Sequence, residues 1–332
     1  MGEKKDVLFL AERRDQGLAK ITYELATAGR EIAAQLGGEV CAALVGNGLA
    51  QDVAKLARLD VARVYAVEDA LFTYYHPEAY LAAVTQLVRE ICPRVVLMGH
   101  TDLGRDLAPR LAFVLDTGLC PNCVGVEVDA SSKALRLTRP VFGGKAHGLY
   151  TLSGAEPSVV TLAQKVFEPA AGHPDQAAEV VTFAPQVDSA SFKTSVAERV
   201  EDASEGIKLE DAAVIVSGGR GIGSAEGFAQ LRDLAAALGG AVGASRAPVD
   251  NGWVPTNLQV GLTGTVVSPD VYLAIGISGA AQHMAGCSSS RTIIAINRDP
   301  EAPIFQRAHY GAVADWKEVM PALTDKCKTM LG

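Results

Sequence analysis

A chain of 332 residues has room for two domains, each with its own core. With 48% hydrophobic and 20% charged residues it has the composition of a soluble globular protein. The formal charge of −8 argues against nucleic acid as the main partner, because phosphate backbones call for clustered Lys and Arg. Acidic cofactors, which need only a few local donors, stay open.

The opening stretch "MGEKKDVLFLAERRD" sets charge before an apolar run too short for a signal-peptide core. No uninterrupted apolar segment approaches the length of a membrane span. The cysteines Cys41, Cys92, Cys120, Cys123, Cys287 and Cys327 are scattered, which predicts reduced thiols in a cytoplasmic protein. Cys120 and Cys123 form a single C-x-x-C. With no second pair and no His pair at finger spacing it lacks the ligands of a structural zinc site; a thioredoxin-type disulfide is possible but has no supporting residues, and the pair reads as two small loop residues.

"DVLFLAE" (6–12) is the first predicted strand, and "GLAKITYELATAGREIAAQLGG" (17–38) the first helix, with Ile21, Leu25, Ala28, Ile32 and Leu36 at helical spacing. Strands follow at 39–46, 61–68 and 94–100, and helices at 77–91 and 103–115. Alternation of this kind, with near-continuous apolar strands, predicts a parallel sheet covered on both faces. From about 124 to 184 the pattern shifts to short strands and turns, expected to be antiparallel and to complete the first domain. The charged segment 195–212 is poor in large apolar residues, which places an interdomain linker near its end.

A second α/β unit opens with "AVIVSGGRGIGSAEGFAQLRDLAAALGG": a strand (213–217), a glycine turn (218–223) and an amphipathic helix (224–238). Phe228, Leu231, Leu234, Ala235 and Leu238 share one face of that helix. Strands at 241–245, 271–278, 291–297 and 310–315 and a closing helix at 316–330 complete it. The fold class is therefore α/β with two domains, 1–203 and 204–332, the second Rossmann-like.

Strand, glycine turn and helix in succession is the context in which backbone N–H groups bind phosphate. A tight turn alone would also account for the glycines of "SGGRGIG", which do not form a clean G-x-G-x-x-G, but Arg220 within it suits a grip on phosphate or carboxylate. Ser245 and Arg246 follow another strand. Gln259, Thr263 and Ser268 sit among turn residues, Ser278, Gln282 and His283 follow the strand "VYLAIG", and Asn297 and Asp315 follow two more. Polar residues at five strand ends predict one convergent pocket. The chain has no G-x-S-x-G elbow, no H-E-x-x-H, no Walker A and no Cys–His pair. His76, His100, His147, His173 and His309 read as surface or loop residues, and no metal site or acid–base catalytic residue is expected.

"VSGGRGIGS", "AVGASRAPVDNGWVP", "QVGLTG", "GISGAAQHMAG" and "IAINRDPEAPIFQRAHYGAVAD", in this order and spacing, resemble the α subunit of electron-transfer flavoproteins. The resemblance is close over 213–330, looser over 7–115, and weakest over 116–170. It implies a heterodimer in which the first domain packs against a β subunit and the second binds one FAD. Arg220, Ser245 and Arg246 would lie at the cofactor, Arg246 toward the isoalloxazine, where a fixed cation favours the reduced, anionic flavin. Gln259, Val260, Gly261, Leu262 and Thr263 would form one loop along the flavin, with the Thr263 hydroxyl near N5/O4. Ser278, Gly279, Ala280, Ala281, Gln282 and His283 would form another, with His283 at the N1/O2 edge. Asn297 and Asp315 would contact the adenosine half. Leu262 departs from the glutamine that the family often carries there.

What the resemblance implies is an electron carrier rather than a stand-alone enzyme, taking electrons from an acyl-CoA dehydrogenase or related flavoenzyme. A bifurcating variant would use NADH and ferredoxin or flavodoxin through the complex, with a second FAD in the β subunit; a simple carrier would hold AMP there. A nicotinamide-dependent dehydrogenase built on the same domain is the alternative. It needs an acidic ribose ligand about 20 residues past the glycine turn, and Glu226 and Asp233, inside the following helix, fit that role poorly. A purely structural nucleotide-binding subunit is the third reading.

Overall fold

The computed structural model describes residues 5–14, 17–142, 144, 146–173, 177–198 and 207–331. The chain divides into two compact units, Met1–Val141 with Ala146–Val200, and Phe142–Lys145 with Glu201–Gly332. The expected boundary between 203 and 204 lies within 199–206, outside the described residues. Leu209 and Ala212, at the end of the predicted linker, are buried in the core of the second unit.

In the first unit, β1 (Val7–Ala11), α1 (Lys20–Leu36), β2 (Val40–Gly46), α2 (Ala50–Leu56), β3 (Arg63–Glu68), α3 (Pro77–Ile91), β4 (Val95–Gly99) and α4 (Asp102–Val114) alternate as the periodicity predicts. Then come β5 (Thr117–Cys123), β6 (Gly125–Val128), β7 (Leu135–Val141), β8 (Ala146–Tyr150), β9 (Ala155–Leu162) and β10 (Glu179–Thr182). Seven strands form one sheet in the order β10-β3-β2-β1-β4-β9-β5, every pair parallel. Strand β1 is apolar throughout because both its faces are covered: Val7, Phe9 and Ala11 meet α1, while Leu8 and Leu10 meet α3 and α4.

The three-stranded sheet β8-β7-β6 is antiparallel, as is the short pairing of Arg13–Arg14 with Gly17–Leu18. The expectation of antiparallel strands across 124–184 is corrected for β9 and β10, which return to the parallel sheet. Strand β9 inserts between β4 and β5, where a run such as Val159, Val160 and Leu162 can be buried on both faces. His76 is corrected from surface to buried: its ring caps α3 by accepting the Ala79 N–H and stacks on Phe192.

The second unit runs β11 (Val214–Gly218), α5 (Gly227–Ala237), β12 (Ala241–Ala244), α6 (Arg246–Asp250), β13 (Val271–Ile275), α7 (Ala281–Cys287), β14 (Thr292–Asn297), β15 (Tyr310–Val313) and α8 (Trp316–Leu331). Its five-stranded sheet is parallel throughout, in the order β12-β11-β13-β14-β15. Phe228, Leu231 and Leu234 of α5 pack with Trp316 and Met320 of α8 against one face. Met284 and Cys287 of α7, with Val260, Val267 and Ile304, cover the other. No helix among the described residues is long and apolar enough to cross a membrane.

Candidate cofactor site

Because the second sheet is parallel, the carboxyl ends of all five strands lie along one edge. The chain leaves β11 for β12 on one side, then crosses back to β13 on the other, so the order reverses between β11 and β13. Open α/β sheets bind ligands in the crevice at such a point.

Glycine is required at this reversal by backbone contact. The Gly219 N–H donates to the Ile275 carbonyl at 2.8 Å and the Gly221 N–H to the Gly276 carbonyl at 3.0 Å. A Cβ on Gly219 would stand 2.2 Å from the Gly276 oxygen, inside any real contact distance. Gly276 itself has φ +62, in the left-handed region. Trp316 at the start of α8 donates its indole N–H to the Gly221 carbonyl at 3.1 Å, so the second tryptophan of the sequence clamps the turn. With its glycines spent on packing, the turn presents Arg220 to solvent, and among the described residues it pairs with no acidic side chain.

Ser245 follows β12, its N–H donating to the Gly218 carbonyl at 2.9 Å. Arg246 beside it is exposed and meets Asp250 at 3.2 Å, an exposed pair of little net worth that leaves the guanidinium able to turn to another anion. The loop 259–265 is tied to this edge by the Val260 N–H on the Ala244 carbonyl (2.8 Å) and the Leu262 N–H on the Gln282 carbonyl (2.8 Å). Gln259 is buried and donates its amide N–H to the exposed Thr263 hydroxyl at 3.0 Å. Leu262 is 61% exposed, an apolar side chain where a polar one would face solvent comfortably.

After β13, Ser278, Ala280, Ala281 and Gln282 are exposed, and Gly279 is buried at φ +86. A Cβ there would stand 2.3 Å from the Ile304 nitrogen, whose N–H donates to the Ser278 carbonyl. Asn297 braces the same loop: its amide donates to the Ile277 carbonyl at 2.9 Å while its Oδ1 accepts the Asp299 N–H. Asp315 accepts the Lys317 N–H at 2.9 Å and caps the first turn of α8. In this arrangement Asn297 and Asp315 shape the edge of the site through backbone groups.

His283 does not project into the crevice. It is 6% exposed, and both ring nitrogens are engaged. Nδ1 lies 3.0 Å from the Val260 carbonyl, which can only accept, so Nδ1 carries the proton; Nε2 then accepts from the Tyr272 hydroxyl at 3.0 Å. Burial pushes the imidazole down to about 4, against the hydrogen bond to Val260, so it is neutral at physiological pH. Tyr272 was hidden from sequence reasoning because it stands in an apolar strand and reads as core. The signal that points to it is a hydroxyl-bearing aromatic in an otherwise aliphatic run.

The structure thus brings Arg220, Ser245, Arg246, Thr263, Ser278 and Gln282 to one edge, set among glycines where backbone can come close to a ligand. That donor set, with two exposed guanidinium groups and the unpaired N–H groups at the start of α7, fits a dinucleotide with an anionic diphosphate. Among the described residues no cluster of three or more His, Cys, Asp or Glu side chains could hold a metal.

Two family models match the chain. Residues 7–188 match the electron transfer flavoprotein domain, and residues 208–288 match the electron transfer flavoprotein FAD-binding domain. The electron transfer flavoprotein subunit alpha of Thermoanaerobacterium thermosaccharolyticum is 39% identical, covering 99% of this chain and 100% of that protein. That of Bacillus subtilis is 38% identical over 99% of each. A protein of Anaerotignum propionicum named acryloyl-CoA reductase electron transfer subunit beta is 34% identical, covering 98% of this chain and 96% of its own.

Proposed function

Since the chain belongs to the electron transfer flavoprotein α-subunit family, we propose that it is the FAD-carrying half of a heterodimeric electron carrier in the cytoplasm, its first unit facing a β subunit. The observation that carries this reading is the edge of the second sheet. Exposed cationic and hydroxyl side chains gather there at the strand-order reversal, beside glycines pressed backbone to backbone.

When bound, FAD supplies the one- and two-electron chemistry. The chain's part is binding and orientation. Arg220 and the N–H groups at 281–282 hold the diphosphate, and Ser245, Ser278 and Gln282 hydrogen-bond the cofactor. Arg246 sets a positive charge near the isoalloxazine, and Thr263, oriented by Gln259, offers its hydroxyl there. His283 acts as a positioning residue: neutral, held by Tyr272, it fixes the Val260 carbonyl and so the loop 259–265. The relative named for acryloyl-CoA reductase supports a flavoenzyme acting on acyl-CoA substrates as the redox partner.

Coexpression with the β subunit tests the proposal. The purified complex is expected to be yellow, to hold at least one FAD per heterodimer, and to lose it on Arg220→Ala. A second FAD with NADH oxidation coupled to a low-potential acceptor would make the complex bifurcating; one FAD plus AMP would make it a simple carrier. A colourless complex, or NAD(P)H turnover by this chain alone, would overturn the reading in favour of a nicotinamide-dependent dehydrogenase.

A further inference from the structure

The C-x-x-C of the sequence lies on a strand and is buried, which corrects the expectation of two loop residues. Cys120 is 3% and Cys123 0% exposed on β5, the edge strand of the seven-stranded sheet. In a regular strand residues i and i+3 point to opposite faces. Here Cys120 pairs with Val160 and Cys123 with Leu162, three steps on β5 against two on β9. The extra residue is taken up by a bulge at Pro121–Asn122, with Asn122 at φ 58 and its N–H donating to the Thr161 hydroxyl at 2.9 Å. The bulge turns both thiols onto one face, among Val126, Leu135 and Leu137, while Leu119 packs on the other.

The Cys123 thiol donates to the Cys120 carbonyl oxygen at 3.5 Å, which ties the two residues together across the bulge. Both are free thiols. Both side chains belong to one buried cluster, and their strand partners stand two residues apart on β9, a spacing of about 6.6 Å at the upper end of what a disulfide spans. Neither thiol has a part in the cofactor site described above.

We propose that Cys120 and Cys123 are a peroxide-reactive dithiol that closes reversibly to an intramolecular disulfide. The Cys120 thiolate attacks hydrogen peroxide: an S–O bond forms, the O–O bond breaks, and hydroxide leaves, giving a sulfenic acid. Cys123 then attacks that sulfur: the S–S bond forms, the S–O bond breaks, and the departing hydroxide takes up the Cys123 proton as water. In sum, two thiols and one peroxide, with the proton first released by Cys120, give one disulfide and two waters. The order of attack follows from the surroundings. The neighbouring Cys123 thiol, helped by the Arg139 guanidinium and opposed by burial, lowers the Cys120 thiol to about 7, and the same proximity, with burial, pushes Cys123 up. Cys41 and Cys287 are buried too, but burial holds them at about 11 and about 12.

Trypsin isolates the pair, since residues 111–133 contain no other cysteine and no internal Lys or Arg. The intact complex with the β subunit is treated with hydrogen peroxide, quenched with catalase, alkylated without reductant and digested for mass spectrometry. The 111–133 peptide is expected two hydrogens lighter and unalkylated, to regain both thiols with dithiothreitol, and to oxidise at least ~10-fold faster than Cys41. Cys123→Ser should halt the reaction at a dimedone-trappable Cys120, and Cys120→Ser should leave Cys123 reduced. Should either variant fail to fold, the wild-type mass shift decides alone. A peptide that stays doubly reduced at peroxide levels that oxidise the exposed Cys92, or oxidises only after urea unfolding, would overturn the proposal.

Discussion

Acidification should weaken the second unit through one side chain, His283. Its folded form refuses a proton down to about 4, whereas in the unfolded chain it titrates near 6.5. Between those values the unfolded state binds more protons, so stability rises with pH; the contribution is complete above 6.5 and is lost as pH falls toward 4. At pH 4.5 the linkage amounts to about 2.4 kcal/mol relative to pH 7, and at pH 5.5 to about 1.2 kcal/mol. With the ring 6% exposed, solvent screening takes little from these figures. The assay is built into the sequence, because both tryptophans, Trp253 and Trp316, lie in the second unit. Urea unfolding followed by tryptophan fluorescence therefore reports that unit alone, at pH 7.0, 5.5 and 4.5. His283→Asn keeps a donor for the Val260 carbonyl and removes the titration. It should cost about 1–3 kcal/mol at pH 7, because the Tyr272 hydroxyl loses its acceptor, yet flatten the pH slope by about 2 kcal/mol. An unchanged slope in the variant, or a His283 resonance titrating near 6.5, would refute the burial argument.

Gly279→Ala joins a left-handed backbone to a Cβ 2.3 Å from the Ile304 nitrogen, so it should destabilise the second unit by about 2–4 kcal/mol and release FAD on dialysis. Thermal unfolding and flavin fluorescence of the dialysate check both. Phe228→Ala, deep between α5 and the sheet, should cost about 3–5 kcal/mol in the same tryptophan-monitored urea experiment while leaving the first unit's circular dichroism transition in place. Glu12 in the first unit has the opposite sign to His283. Burial raises its carboxyl to about 7 despite the Thr101 hydrogen bond, so its folded state holds a proton that the unfolded state has lost. Stability falls as pH rises from 4.5 through 7, and Glu12→Gln should make the first unit up to about 3 kcal/mol more stable than wild type at pH 8 by denaturation followed at 222 nm.

The long periodic segments were legible in the sequence, and the reason is physical. Helix α3 covers the predicted 77–91 because Pro77 can begin a helix and the Tyr80, Ala83, Val84, Leu87, Val88 stripe has one buried face to fill. What the sequence hid depends on pairing between distant segments. Whether 155–162 runs parallel or antiparallel is decided by insertion between β4 and β5, which no local pattern encodes. The same bulge that aligns Cys120 with Cys123 exists only relative to β9. At the candidate site, Arg220 and Ser278 were readable as strand-end polar residues. The inward turn of His283 was not, because a histidine two residues into a short helix can face either way until Tyr272 and Val260 supply partners.

Both units have a strand-order reversal, and their chemistry differs there in a way that bears on where a cofactor can go. In the first unit the reversal falls between β1 and β4, and the chain fills it with its own side chain. Glu12, directly after β1, accepts from the Thr101 hydroxyl at 2.8 Å, its backbone is tied to Thr22, and its carboxyl oxygen would sit 2.8 Å from a Cβ on Gly99. A buried carboxyl at that place is a poor neighbour for a diphosphate. In the second unit the matching position after β11 is Gly219, with Arg220 pointing outward. One crevice is filled by a buried carboxyl that keeps its proton up to about 7; the other is lined by backbone and rimmed by guanidinium groups. Two sheets of one architecture thus differ in the space they leave at the reversal, and the difference rests on the residue just past the first strand of each: the Glu12 side chain occupies it in one, and Gly219, with no side chain, leaves it to backbone in the other.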